Sequence, residues 1–185
     1  MIMRTLSRTG TMTALLSALL LSSGCSKEQQ DELKLEAELL MQYNAIAFSV
    51  EPTEHTGEVQ LTVSLDGSAL AEMLATNGYS MAQLKEFKFT GAAVPLREGG
   101  AHNYDALQRL AVELVLNGGA PVLVASIDPV PDGASALDLA VNEVNVAEIM
   151  RHDHIGLTLK LVTDQVVADT LHQLLDLDGK VVVQL

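Results

Sequence analysis

The chain holds one cysteine, no tryptophan, three tyrosines and three phenylalanines among 185 residues. A single thiol excludes an intramolecular disulfide, so the fold must stand on buried apolar area alone. So few aromatic rings cannot build a stacking platform for nucleobases or other planar ligands. Basic residues are scarce too: 11 Lys and Arg face 24 Asp and Glu, a formal net charge of −13. Such a surface repels phosphate backbones and anionic headgroups, and no nucleic-acid partner is expected. There is no Gly-x-Ser-x-Gly elbow. Gly99-Gly100 and Gly118-Gly119 read as loop and turn glycines, not as a phosphate-binding fingerprint. What remains for a core is Leu, Val, Ala and Ile.

Charge is also missing from the start of the chain, where Arg4 and Arg8 are the only charged side chains before Lys27. The run Thr11 to Leu21 that follows is apolar but shorter than the ~20 residues a permanent membrane helix needs. A basic start, a short apolar centre and the small exit Ser22-Ser23-Gly24 have the layout of a secretory signal peptide, residues 1–24. Cys25 comes directly after Gly24, and this junction resembles the lipobox of bacterial lipoproteins. Ser22 stands where that motif commonly carries leucine, with Leu21 one place further out. The resemblance implies cleavage before Cys25, diacylation of its thiol and acylation of the new amine. It also implies a membrane partner reached through the lipid, since each buried methylene contributes about 0.8 kcal/mol and two or three chains hold firmly. The competing readings of Cys25 are a free thiol in an ordinary secreted protein and an uncleaved anchor helix. Ser26 after the cysteine resembles the outer-membrane sorting context, which gives an expected address in the cell envelope. The mature chain from Cys25 would carry nine basic and 24 acidic residues, a net charge of −15, with residues 25–42 as lipidated cysteine and tether.

After the tether the dominant signal is alternation, the mark of strands with one buried face. Glu58 to Leu65 alternates without a fault, and the same period recurs in Glu86 to Thr90 and Leu157 to Leu161. It is looser in Leu137 to Asn142 and in Val112 to Leu116, which leads through the turn Asn117-Gly118-Gly119 to Pro121 to Ala125. Tyr43 to Val50 is expected to open the domain, and Lys180 to Leu185 to close it after a turn at Asp178-Gly179. Short helices are expected at Ser68 to Ala75, stopped by Asn77-Gly78, and at Val146 to Met150, with a further turn at Ser80 to Leu84. Glu32 to Gln42 fits a helix or an edge strand, and Asp164 to Leu175 a helix or a bent strand. Strand, short helix, strand occurs twice, over 59–90 and over 136–163, as in sandwiches that pass between their sheets. The fold class expected is mainly β: a two-sheet antiparallel β-sandwich, Ig-like or related, over residues 43–185, with short crossover helices. The rhythm of Leu65 to Leu70, Leu84 to Phe89 and Asp128 to Ala134 resembles uncharacterised bacterial lipoproteins with a single sandwich domain, a likeness that brings no activity with it.

The best metal candidate is His152-Asp153-His154, where alternate histidines share one side of a strand and Asp153 adds an oxygen. Zinc takes three or four protein ligands, and His55, His102 and His172 are scattered in sequence. The plain alternative is a polar entry to the strand at Ile155. Asp176-Leu177-Asp178-Gly179 opens like a calcium loop but lacks the later ligands, and Asp128, Asp132 and Asp138 have no calcium spacing. The methionines Met73, Met81 and Met150 suit gap-filling under the crossovers. The expectation is a lipid-anchored envelope protein that binds or scaffolds, with no cofactor and no catalysis, meeting other envelope proteins at a sheet edge or end loops. The alternatives are a metal- or lipid-binding periplasmic carrier and, behind it, a hydrolase on a sandwich scaffold.

Overall fold

The computed structural model describes residues 35–116 and 118–185. The expected leader 1–24, Cys25 and residues 26–34 of the expected tether lie outside the described residues, as does Asn117 of the expected hairpin turn. In chain order the elements are β1 (Glu36–Val50), β2 (Gly57–Asp66), α1 (Ser68–Thr76), a 3-10 turn (Met81–Gln83) and β3 (Leu84–Pro95). Then come β4 (Leu107–Val115), β5 (Val122–Ile127), β6 (Ala136–Asp138), β7 (Ala140–Val141), α2 (Ala147–Met150), β8 (His154–Thr163) and β9 (Leu171–Gln184). They form two sheets, β1-β9-β3-β6 and β2-β8-β4-β5-β7, in which every pairing is antiparallel. The protein is a mainly β, two-sheet sandwich. With the two-residue β7 set aside, the orders β1-β9-β3-β6 and β2-β8-β4-β5 are those of a jelly roll, a relative of the immunoglobulin sandwich with different connections.

Period-two alternation decides which side chains meet between the sheets. From the four-stranded sheet come Tyr43, Phe48, Phe87, Phe89, Val94, Leu175, Leu177, Val181 and Val183; from the five-stranded sheet Leu65, Leu110, Val112, Leu114, Ile155, Leu157, Leu159 and Leu161. All are buried. The Phe87 and Phe89 rings meet edge to face at 5.1 Å. Helices α1 and α2 join this core, α1 through Leu70 and Leu74 and α2 through Ala147 and Met150. The Asn145 carboxamide accepts from the Phe87 and Ala147 amides and so ties α2 to β3.

Three expectations change. The first strand begins at Glu36, not Tyr43, because residues 36–42 pair residue for residue with 178–184 of β9; these residues belong to the sheet and not to the expected tether, and the run is the edge strand, not the helix. Asp178-Gly179 is no turn. Strand β9 runs unbroken through it, with β1 and β3 on its two sides. Gly179 serves packing, since a Cβ there would come within 2.7 Å of the Phe87 ring. Lastly, Leu137 to Asn142 is two strands in two sheets. β6 pairs with β3, β7 with β5, and the Leu139 amide donates to Ala92 between them at 2.9 Å. The chain thus changes sheets before α2, whereas α1 does lie on a connection between sheets.

Two buried tyrosines give a direct test of polar satisfaction. The Tyr104 hydroxyl donates to the Val94 carbonyl at 3.1 Å, whereas the Tyr43 hydroxyl has no partner among the described residues. Burial holds both phenols above the usual tyrosine range. Tyr104→Phe is expected to lower unfolding free energy by about 1 kcal/mol, while Tyr43→Phe leaves it unchanged or raises it. Urea denaturation of the two variants measures the contrast.

Candidate functional site

His152, Asp153 and His154 fall at the junction between α2 and β8, and all three are exposed. His152 and Asp153 form the turn and His154 is the first residue of β8, opposite Asp66 of β2. The turn packs against Gly67. The Gly67 amide donates to the Asp153 carbonyl, and a Cβ on Gly67 would strike the His152 carbonyl. No group of three or more His, Cys, Asp or Glu side chains converges to hold a metal among the described residues. His55, His102 and His172 lie on other segments, so the third zinc ligand that the sequence left open is not brought to this turn. What the junction does carry is a local electrostatic arrangement. Asp66 accepts from the Ser68 amide at 2.8 Å at the start of α1. Hydrogen bonding from Ser68 holds the Asp66 carboxyl below its ordinary range, with a smaller contribution from the charge of His154.

Beside this junction the outer face of the five-stranded sheet has a shallow depression of about 440 Å³. Gly156 lines it, in register with Ser64 on one side and Val115 on the other. Gln60, Thr62, Thr158 and His154 complete its rim, and the Thr62 and Thr158 hydroxyls meet at 3.1 Å. One residue pair further along, Lys160 Nζ stands 2.8 Å from Glu113 Oε2, an ion pair by distance without hydrogen-bond direction. The depression is open, mixes polar groups with Val63, Val115 and Ile155, and is lined by no Phe, Tyr or Trp.

Sequence reasoning missed a serine–histidine contact. Ser49 of β1 faces His172 of β9, and their Oγ and Nδ1 lie 3.1 Å apart. A catalytic triad uses the opposite arrangement, with Nε2 toward serine and Nδ1 toward a carboxylate. No acidic side chain is hydrogen-bonded to His172 among the described residues, and the pair does not line the depression beside Gly156. It is a cross-strand contact on an exposed face. Only the β1–β9 register, which no local pattern announces, reveals it.

The outer face of the four-stranded sheet is organised by charge. Lys180 pairs with Glu38 at 2.6 Å, Lys88 with Glu86 at 2.9 Å, and Lys85 with Glu36. The bond from Glu38 is the main cause that raises the Lys180 ammonium above its ordinary range. Asp176 and Asp178, the would-be calcium residues, accept from the Ala45 amide and the Gln42 carboxamide. In the midst of these polar groups stands Leu40, 74% exposed, on the edge strand. A second depression, of about 280 Å³, lies between Leu40 and Thr90 over Asp178.

No family model matches the chain, and no curated protein does. Among solved structures it is similar to one from Desmodium yellow mottle tymovirus, at 14% identity over 91% of this chain and 94% of that one, TM-score 0.34. It is similar too to a structure of Cocksfoot mottle virus, at 9% identity over 96% and 95% of the two chains, TM-score 0.33. Likeness at this level says nothing of what the chain does.

A titration test follows from Asp66. Its folded carboxyl ionises below the unfolded one, so its stabilising contribution is complete above the usual carboxylate range and is lost as pH falls through the folded value. Asp66→Asn keeps an acceptor for Ser68 but cannot titrate. The melting-temperature difference between wild type and variant is expected to shrink from about pH 5 to about pH 2, read by thermal melts across that range.

Proposed function

We propose that the protein is a lipid-anchored module of the bacterial cell envelope, held through Cys25, that works by binding another protein and not by catalysis. The observation that carries this reading is Leu40. At 74% it is the most exposed large apolar side chain among the described residues, and it stands on the edge strand with Val182 of β9 as its diagonal neighbour on the same face. Among the described residues no strand pairs with the outer side of β1, so its backbone groups are open to a partner strand. The acidic surface fits a domain kept off anionic headgroups while its own tether holds it near them. The lipobox-like junction at Gly24-Cys25 supports the anchor, and Ser26 supports outer-membrane sorting.

A two-part experiment tests both halves. Cys25→Ala is expected to release the protein into the soluble fraction and to abolish labelling by a fatty-acid analogue. A photo-crosslinking residue at position 40 is expected to form adducts in intact cells, where the same residue at Thr62, on the outer face of the other sheet, forms none. A chain that stays soluble without any variant, or that crosslinks equally at both positions, contradicts the proposal.

A further inference from the structure

The outer row of β1 reads Glu36, Glu38, Leu40, Gln42, with side chains on alternate faces along a regular run that ends at the bulge between Tyr43 and Ile46. Ala45 in that bulge has φ 59°, which bends the strand away from straight pairing. A partner strand can therefore use the edge only over residues 36–43. We infer that the partner is a second copy of this chain, pairing β1 against β1 antiparallel about a two-fold axis through Leu40. The inference rests on the reading of this edge as the contact surface, and names its occupant.

A continuous sheet with both cores on the same side requires pairs whose residue numbers sum to an even value, because directly opposed side chains share a face. A sum of 76 opposes Glu38 to its own copy, a like-charge clash. A sum of 78 sets Leu40 against Glu38, and 82 sets it against Gln42. A sum of 80 alone brings Leu40 onto Leu40 of the second copy. It then places Glu38 opposite Gln42, carboxylate against carboxamide with no like charges facing. On the inner side Leu39 meets Met41 and Ala37 meets Tyr43, apolar on apolar. The paired stretch, 37 to 43, fits within the regular run before the bulge.

Charge does not oppose the contact locally, although the protein is strongly acidic overall. Glu36 and Glu38 are already ion-paired with Lys85 and Lys180 of their own chain, and Lys180 is the cross-strand neighbour of Leu40. The approaching edge carries neutralised carboxylates around an apolar centre. An isologous contact of this kind closes on itself, so it gives a dimer and leaves no further copy of the edge exposed.

The test uses the full chain carrying Cys25→Ser, so that only a newly placed thiol can bridge. Directly opposed residues in antiparallel strands have Cα atoms about 4.5–5.5 Å apart, within the span of a disulfide. Leu40→Cys is expected to give a disulfide-linked dimer under mild oxidation. Glu38→Cys and Gln42→Cys are each expected to stay monomeric on denaturing gels when oxidised alone and to link when mixed. Sedimentation of the unmodified full chain in mild detergent should show a dimer, lost in Leu40→Lys with an unchanged circular dichroism spectrum. No bridge at position 40 together with a monomer in sedimentation overturns the inference. Crosslinking at position 40 to a different protein in intact cells, without homodimer, overturns the self-pairing and leaves the binding-module reading standing. If position 40 gives neither kind of adduct, both fall.

Discussion

Burial of alternate side chains between two antiparallel sheets is the constraint on which the rest of this molecule depends. With a lone cysteine and no tryptophan, nothing covalent and no large indole reinforces the core. Leu, Val and Phe side chains from both inner faces carry the burden, and a slip of one residue in any strand would turn its apolar set to solvent. Strand β9 shows how strictly this operates. It lies between β1 and β3 over most of its length, alternates inward Leu175, Leu177 and Val181 with outward Asp176, Asp178 and Lys180, and accommodates the Phe87 ring by having glycine at 179.

The same alternation that fills the interior sends a second set of side chains to the two outer faces. On the five-stranded sheet these include the Lys160–Glu113 ion pair and Val115, and Gly156 lines a shallow depression among threonine hydroxyls and a serine. On the four-stranded sheet lysine–carboxylate pairs run across β1, β9 and β3, with Leu40, Leu174 and Val182 on the same face. Leu40, at 74%, is the most exposed large apolar side chain among the described residues. A buried Gln173 whose amide atoms meet no hydrogen-bonding group among the described residues is a further departure from the apolar core. Its side chain lies on the inner side of β9 at the level of Phe48, and the structure offers no further role for it.

Much of the fold was legible where the local pattern was clean. Strands at 57–66, 84–95, 107–115 and 154–163 contain the alternating runs read from sequence, and the two short helices fall where Ser68 to Ala75 and Val146 to Met150 placed them. Reading failed where local chemistry and long-range pairing disagreed. Asp178-Gly179 has turn composition, yet two neighbouring strands hold it extended. Leu137 to Asn142 alternates like one strand, yet each sheet claims only part of it. The 152–154 segment, read as a metal candidate, lies at a turn facing solvent, where no group of three or more His, Cys, Asp or Glu side chains converges among the described residues.

The sequence by itself determined the class of object. Period-two alternation in several runs, a charge balance of −13 and a lone cysteine after an apolar run are all local or summed properties. They need no knowledge of which strand lies beside which. The tertiary structure alone decided the neighbours: that β1 pairs with the last strand of the domain and stands at an edge, that Ser49 meets His172, and that Leu40 is left uncovered among ion pairs. The physical reason is that alternation specifies a face but not a partner. Pairing is chosen by the free energy of the whole two-sheet packing, which no window of sequence contains.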